Sequence, residues 1–191
     1  MDPSTERILA ALVFLALWLN GSFYPLILLP LLFVKAVLKE ELSHTGLSTE
    51  AIPPSLILGL IAALLVLIAY YPIHLTYQML RAKPIVAWAI FTDIVWYPVY
   101  EEVAYRGFFL GYYSDKGAVL STRNLALNLI QTALFTAVHH GHVRAGFPLL
   151  LIPVFLLGFL NGIVFLRTRS ILGCVVGHAV VNGAAMLMLN A

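Results

Sequence analysis

Three ionisable residues, Glu101, Glu102 and Arg106, stand close together in a run that otherwise reads as hydrocarbon, between Trp88–Phe91 and Phe108–Leu110. A charge near the centre of a bilayer costs roughly 2.5–3.5 kcal/mol on insertion scales. Such residues face protein or a water-filled cavity, and their default reading is function. On a helix Glu102 and Arg106 are four apart and can pair, with the acid N-terminal to the base as preferred. Glu101 lies about 100° round the helix from Glu102 and stays clear of that pair. One carboxylate reads as structural and the other as available for chemistry.

Two later segments carry further polar stripes. Asn128, Gln131, Phe135 and His139 share one helical face, and Cys174, His178 and Asn182 follow each other at intervals of four. A single buried His or Asn often only bonds a neighbouring helix, for about 0.6 kcal/mol on average. Here helix periodicity turns two carboxylates, an arginine, two histidines and an asparagine toward one bundle interior. Three chemistries compete for the set. A carboxylate and a histidine can share a water and take its proton as it attacks a carbonyl. A second His and an Asn can then donate to the developing oxyanion, a stabilisation of about 10²–10³ in rate. Glu and His are also zinc ligands, yet the H-E-x-x-H pattern is absent, and His139-His140-x-His142 lies at a helix end, where a loop faces water. A thiol nucleophile is the third option, with Cys174 four residues before His178, but small buried cysteines mostly serve packing.

The elements that must position these residues are membrane spans. Of 191 residues, 61% are hydrophobic and 10% charged, against about 25% charged in a soluble domain. A net charge of +2 gives no argument for nucleic acid, and a single cysteine excludes an internal disulfide. The expected fold is all-α: a polytopic transmembrane bundle of about six spans with the polar site inside it. Residues 1–191 read as one membrane domain, with 1–83 as scaffold spans and 84–191 as the motif-bearing core. Met1–Arg7 lacks the basic start of a secretory signal, so Ile8–Val34 is kept as the first apolar stretch. Asn20-Gly21-Ser22, Pro25 and Pro30 interrupt it, making it one broken helix or a re-entrant pair. Lys35–Ser55 reads as an interfacial loop ending in the Pro53-Pro54 breaker. The remaining spans are Leu56–Leu80, Ile85–Tyr113, Asn124–Val138, Phe147–Leu166 and Ile171–Leu189.

Pro98 removes a backbone donor three residues before Glu101 and is expected to kink its helix. Gly158/Gly162 and Gly173/Gly177 suit close helix packing, a spacing that chance also produces in apolar spans. His140 and His142 are expected to be exposed loop residues. Glu101 lies mid-span and His139 at a span's far end, so a shared water requires a helix broken near Pro98, or a tilted or short fourth span. With six full spans, Lys35, Lys39, Lys116, Arg123, Arg167 and Arg169 fall on one side of the membrane, against Arg7, Arg81, Lys83 and Arg144. A re-entrant first stretch moves Arg7 to the larger group. Either count puts that group in the cytoplasm.

The order and spacing of these residues resemble the CAAX protease and bacteriocin-processing family of intramembrane proteases, also called the Abi family. Its E-E-x-x-x-R motif is met by Glu101, Glu102 and Arg106, with the frequent trailing glycine at Gly107. Its F-x-x-x-H motif is met by Phe135 and His139, and its H-x-x-x-N motif by His178 and Asn182. The match covers about Ile85–Leu189. The resemblance implies that Glu101 and His139 activate the hydrolytic water and that His178 and Asn182 form the oxyanion hole. It leaves Glu102 and Arg106 to hold the acid helix or position substrate. It implies a glutamate-dependent hydrolase without cofactor, zinc being the alternative because metalloprotease assignments have also been made. The implied partner is a peptide or protein substrate at the lipid bilayer, whether a CAAX-type tail, a leader peptide or a C-terminal sorting tail. The expected location is the cell membrane, as a multi-pass protein; oligomeric state is left open.

Two rivals compete with this endopeptidase. Acids and histidines in a bundle also serve transporters and proton relays, although about six spans without visible inverted repeats fit that poorly. A non-catalytic bacteriocin-immunity protein is the other.

Overall fold

The computed structural model describes residues 51–77 and 87–188, together with Gly46 and Ser4, Arg7, Ile8, Ala11, Leu12, Phe14 and Leu15. The described residues are helical and contain no strand. Helix α1 spans Ile52–Thr76. A continuous helix over residues 87–113, α2, carries the acid motif. Helix α3 is Thr122–Val138, α4 is the short Gly141–Arg144, α5 is Leu151–Thr168 behind a tight turn at Pro148–Leu150, and α6 is Leu172–Met188. Two segments, Ile52–Thr76 and Pro148–Thr168, are each long and apolar enough to cross a membrane.

Pro53 and Pro54 begin α1 rather than end a loop. They occupy its first turn, where a missing N–H costs nothing because those donors have no helical partner. The helix therefore starts four residues before the expected Leu56. Its outer face presents Ile57, Leu60, Ile61, Leu64, Leu65 and Ile68, all exposed, as a lipid-facing span does. Its inner face is small. A side chain on Gly173 would run into the Ser55 carbonyl, and one on Gly177 into the Gly59 carbonyl. The α1 and α6 backbones thus touch, and Ser55 Oγ accepts from the Gly173 N–H at 2.9 Å. The glycine spacing is a real contact in this bundle.

Pro98 does not break α2. On its N-terminal side, Phe91–Trp96 forms a wide turn whose bonds reach back five residues, with the Tyr97 N–H on the Thr92 carbonyl. A second wide stretch, Val103–Leu110, follows the acids. Such π turns inside α-helices recur at functional sites. Two wide stretches thus flank the acids along one continuous helix, and each shifts the register of the side chains that follow it.

Successive helices run antiparallel. Arg169 Nη1 reaches Ser114 Oγ at 2.9 Å, joining the ends of α2 and α5. The Leu149 N–H reaches the Tyr77 hydroxyl at 3.3 Å at the opposite end. We call these the basic end and the histidine end. The Tyr113 hydroxyl donates to the Arg7 carbonyl at 2.7 Å, and the Ile171 N–H donates to Gly46 at 2.9 Å. Arg7 and Gly46 therefore both lie at the basic end. The choice between one broken helix and a re-entrant pair in Ile8–Val34 falls on residues outside the described ones. The rest of Ile8–Val34, and residues 78–86, lie outside the described residues.

Candidate active site

The acid motif, the two histidine motifs and one unforeseen amide meet in the bundle core. Glu102 and Arg106 are both fully buried and pair within α2, Arg106 Nε lying 3.1 Å from Glu102 Oε2. The other oxygen of Glu102, Oε1, accepts from His178 Nδ1 at 2.9 Å and from Asn161 Nδ2 at 3.0 Å. Arg106 Nη2 donates to the Gly158 carbonyl at 2.8 Å, and its guanidinium lies 5.1 Å from the centre of the Phe135 ring. A cation and an anion without access to water are tolerated only with such company.

Glu101 is left outside this network. Its Oε2 is buried, has no hydrogen-bond partner among the described residues, and lies 3.7 Å from His178 Nε2. With Nδ1–H committed to Glu102, Nε2 is the His178 atom that faces Glu101.

Phe135 is fully buried between the remaining groups. Its ring packs 4.8 Å from His139, 6.0 Å from His178 and 5.3 Å from Tyr105, centre to centre. His139 follows the last turn of α3. Its Nδ1 lies 2.7 Å from the Phe135 carbonyl. A carbonyl only accepts, so Nδ1 carries the hydrogen and Nε2 the lone pair. Helix α3 ends at Val138, and His139, just past that end, lines the cavity described next.

Asn182 sits two turns beyond Cys174 on α6. Its Nδ2 donates to the Asp93 carbonyl at 2.7 Å. In the wide turn before Glu101 the donor due to Asp93 would come from position 98, and proline has none. The Asn182 amide fills that vacancy and ties α6 to α2. An amide nitrogen has two hydrogens, so one stays available to the cavity that Asn182 lines.

That cavity holds about 210 Å³ and runs from His178 toward the histidine end. Phe135, His139, His142, His178 and Asn182 line it together with the apolar Leu150, Val154, Leu157 and Val181. His142 corrects the expectation of an exposed loop residue. It is half-buried, lines the cavity and stacks 6.1 Å from His139. His140 does remain exposed.

Asn161 is the member of this buried network that the sequence reading missed. It also donates to the Cys174 carbonyl at 3.2 Å, so it spans α2, α5 and α6. The signal was present as a lone amide between Gly158 and Gly162 in an otherwise apolar run. Gly162 leaves room for Asn128, and Gln131 Nε2 donates to the Gly158 carbonyl at 3.0 Å, so those two α3 amides bind α5 rather than enter the cavity. Cys174 is buried with Sγ 3.3 Å from the Asn161 carbonyl, a packing position. Among the described residues no group of three or more His, Cys, Asp or Glu side chains is arranged to hold a metal ion.

No curated protein and no solved structure matches the chain. The pattern of the type II CAAX prenyl endopeptidase Rce1-like family matches residues 83–184. That span contains the acid pair, Arg106, Phe135, both motif histidines, Asn161 and Asn182. The chain belongs to the type II CAAX prenyl endopeptidase Rce1-like family of membrane-embedded proteases.

Proposed function

We propose that this protein is a glutamate-type intramembrane endopeptidase whose working carboxylate is Glu101. The observation that carries the reading is the contrast between neighbours. Glu102 is bound by Arg106, His178 and Asn161, while Glu101 Oε2 is buried, unbonded and 3.7 Å from His178 Nε2. Glu101 takes a proton from water as the water oxygen attacks the scissile carbonyl. His139, with its lone pair on Nε2, helps to hold that water. The carbonyl becomes a tetrahedral oxyanion, which receives the second N–H of Asn182 and, when His178 is doubly protonated, its Nε2–H. The bond to Asp93 fixes the direction of the Asn182 donor. When the intermediate collapses the C–N bond breaks, and the proton held by Glu101 passes to the leaving amine. Phe135, Glu102, Arg106 and Asn161 touch no reacting atom and hold the histidines and the acid helix in place.

The chain fits a multi-pass protein of the cell membrane as a single domain. Helices α1, α2, α3, α5 and α6 serve as passes. A peptide or protein segment next to the bilayer is the substrate, and no resident cofactor is required. The test is mass spectrometry of candidate membrane-adjacent peptides incubated with purified protein. Cleavage by the wild type and none by Glu101→Gln, which still binds the peptide, is expected. Equal cleavage by both overturns the role of Glu101.

A further inference from the structure

Pro98 is buried in α2, three residues before Glu101. In the wide turn ahead of it the backbone bonds reach back five residues, the Tyr97 N–H donating to the Thr92 carbonyl. The next bond in that series would run from position 98 to the Asp93 carbonyl, and proline carries no N–H. A helical carbonyl left in this way takes a donor from elsewhere. The oxygen of Asp93 accepts from Asn182 Nδ2 at 2.7 Å, a residue 89 positions further along the chain. One position on, a side chain on Gly183 would meet Ile94 of the same turn, so α6 packs against the stretch where the carbonyl is open. A short amide held through one of its two hydrogens has the direction of the other set as well. Glu101 stands on the same helix, so one unbroken backbone carries both the carboxylate and the carbonyl that holds the amide.

We propose that Pro98 is a positioning residue for the reaction: by withholding a backbone donor it reserves the Asp93 carbonyl for Asn182, and so aims the free N–H of that amide into the cavity. Its effect on rate rests on the reading of Asn182 as a donor to the oxyanion; the competition for the carbonyl does not. An N–H at position 98 would approach the same oxygen along the helix axis. A carbonyl can accept two bonds, but a helical donor draws the oxygen toward the axis and away from α6, which leaves the Asn182 amide free to rotate. Pro98 is not among the residues lining the cavity, so the contacts that bind substrate in its ground state stay as they are. The consequence is a loss of kcat with KM kept, the signature of an interaction made only in the transition state.

The test compares Pro98→Ala, Asn182→Ala and their combination in the full chain. A fourth form carries the α-hydroxy acid counterpart of alanine at position 98, introduced by nonsense suppression, and so lacks both the ring and the N–H. Melting in detergent is read first. Asn182→Ala should lower Tm in the native background, where it strands the Asp93 carbonyl, and by a smaller amount beside Pro98→Ala, whose N–H then holds that oxygen. Equal falls in both backgrounds overturn the proposal. With a cleavable peptide, Pro98→Ala should lower kcat about tenfold, less than the 10²–10³ that goes with a whole donor, with KM unchanged. The ester form should keep the wild-type kcat, because the carbonyl is again reserved for Asn182. A kcat as low in the ester form as in Pro98→Ala assigns Pro98 to helix shape and overturns the proposal. Should Pro98→Ala fail to fold, the ester form decides by itself: wild-type kcat supports the proposal, and a reduced kcat with normal melting overturns it. If Asn182→Ala cuts at the wild-type rate, the oxyanion reading fails, and the melting cycle still tells whether Pro98 reserves the carbonyl.

Discussion

Replacing Glu102 by Gln strands the Arg106 guanidinium in a site from which water is absent. The amide oxygen of Gln can still accept from His178 and Asn161, which share Oε1 in the native protein. Its NH2, however, takes the place of Oε2 and turns a donor toward Arg106 Nε, where an ion pair of 3.1 Å existed. Breaking a buried pair from one side costs about 3–5 kcal/mol. Arg106 keeps its bond to the Gly158 carbonyl and its position over Phe135, the latter contributing about 0.5–2 kcal/mol. These surviving contacts put the loss near the lower bound, about 3 kcal/mol. For a chain of this size each kcal/mol moves the melting temperature by roughly 2–4 °C, so a fall of roughly 6–12 °C in detergent is expected. Glu102→Gln combined with Arg106→Met removes the cation too and should recover part of the loss, giving a coupling above about 1 kcal/mol in the double-mutant cycle. Melting curves and cleavage rates for Glu101→Gln and Glu102→Gln decide the matter together. If Glu102→Gln melts within about 2 °C of wild type but is inactive, while Glu101→Gln still turns over, the division of labour between the acids is reversed.

Asn161→Leu should destabilise by about 1–3 kcal/mol, because Glu102 and the Cys174 carbonyl each lose a buried donor; an unchanged melting curve removes Asn161 from the network. Gly173→Leu should lower stability by about 1–3 kcal/mol or prevent folding, since the Ser55 backbone occupies the space, while Ala118→Leu on an exposed loop serves as the neutral control. His139→Gln should cut kcat by about 10²–10⁴ with little change in melting temperature, as it loses one bond to its own helix and two ring contacts, to Phe135 and His142; a large parallel loss of stability would assign it to packing. Prolonged chelation should leave turnover unchanged, and a loss restored specifically by zinc would move Glu101, His139 and His178 to ligand roles.

Relations within one helix were legible from the sequence because the 3.6-residue period fixes them. Glu102 meets Arg106 and His139 meets Phe135 across one turn, and neither contact depends on any other helix. The membrane character followed from composition, and the all-helical fold from the requirement that backbone groups bond internally in lipid. Relations between helices were not legible, because periodicity says which face is polar and not how far one helix slides along another. That register is set where backbones touch, at Gly59 against Gly173 and Gly177. Only the tertiary structure decided that His178 bonds Glu102 and leaves Nε2 toward Glu101, and that Asn161 joins the pair from α5. It also decided that Asn182 replaces the donor Pro98 lacks, and that His142 turns into the cavity. The start of α1 at Ile52 was readable in principle from Pro53-Pro54, which a helix accepts in its first turn as readily as a loop does. The common end of Arg7 and Gly46 had no local signal: two bonds across more than a hundred residues, to Tyr113 and Ile171, determine it.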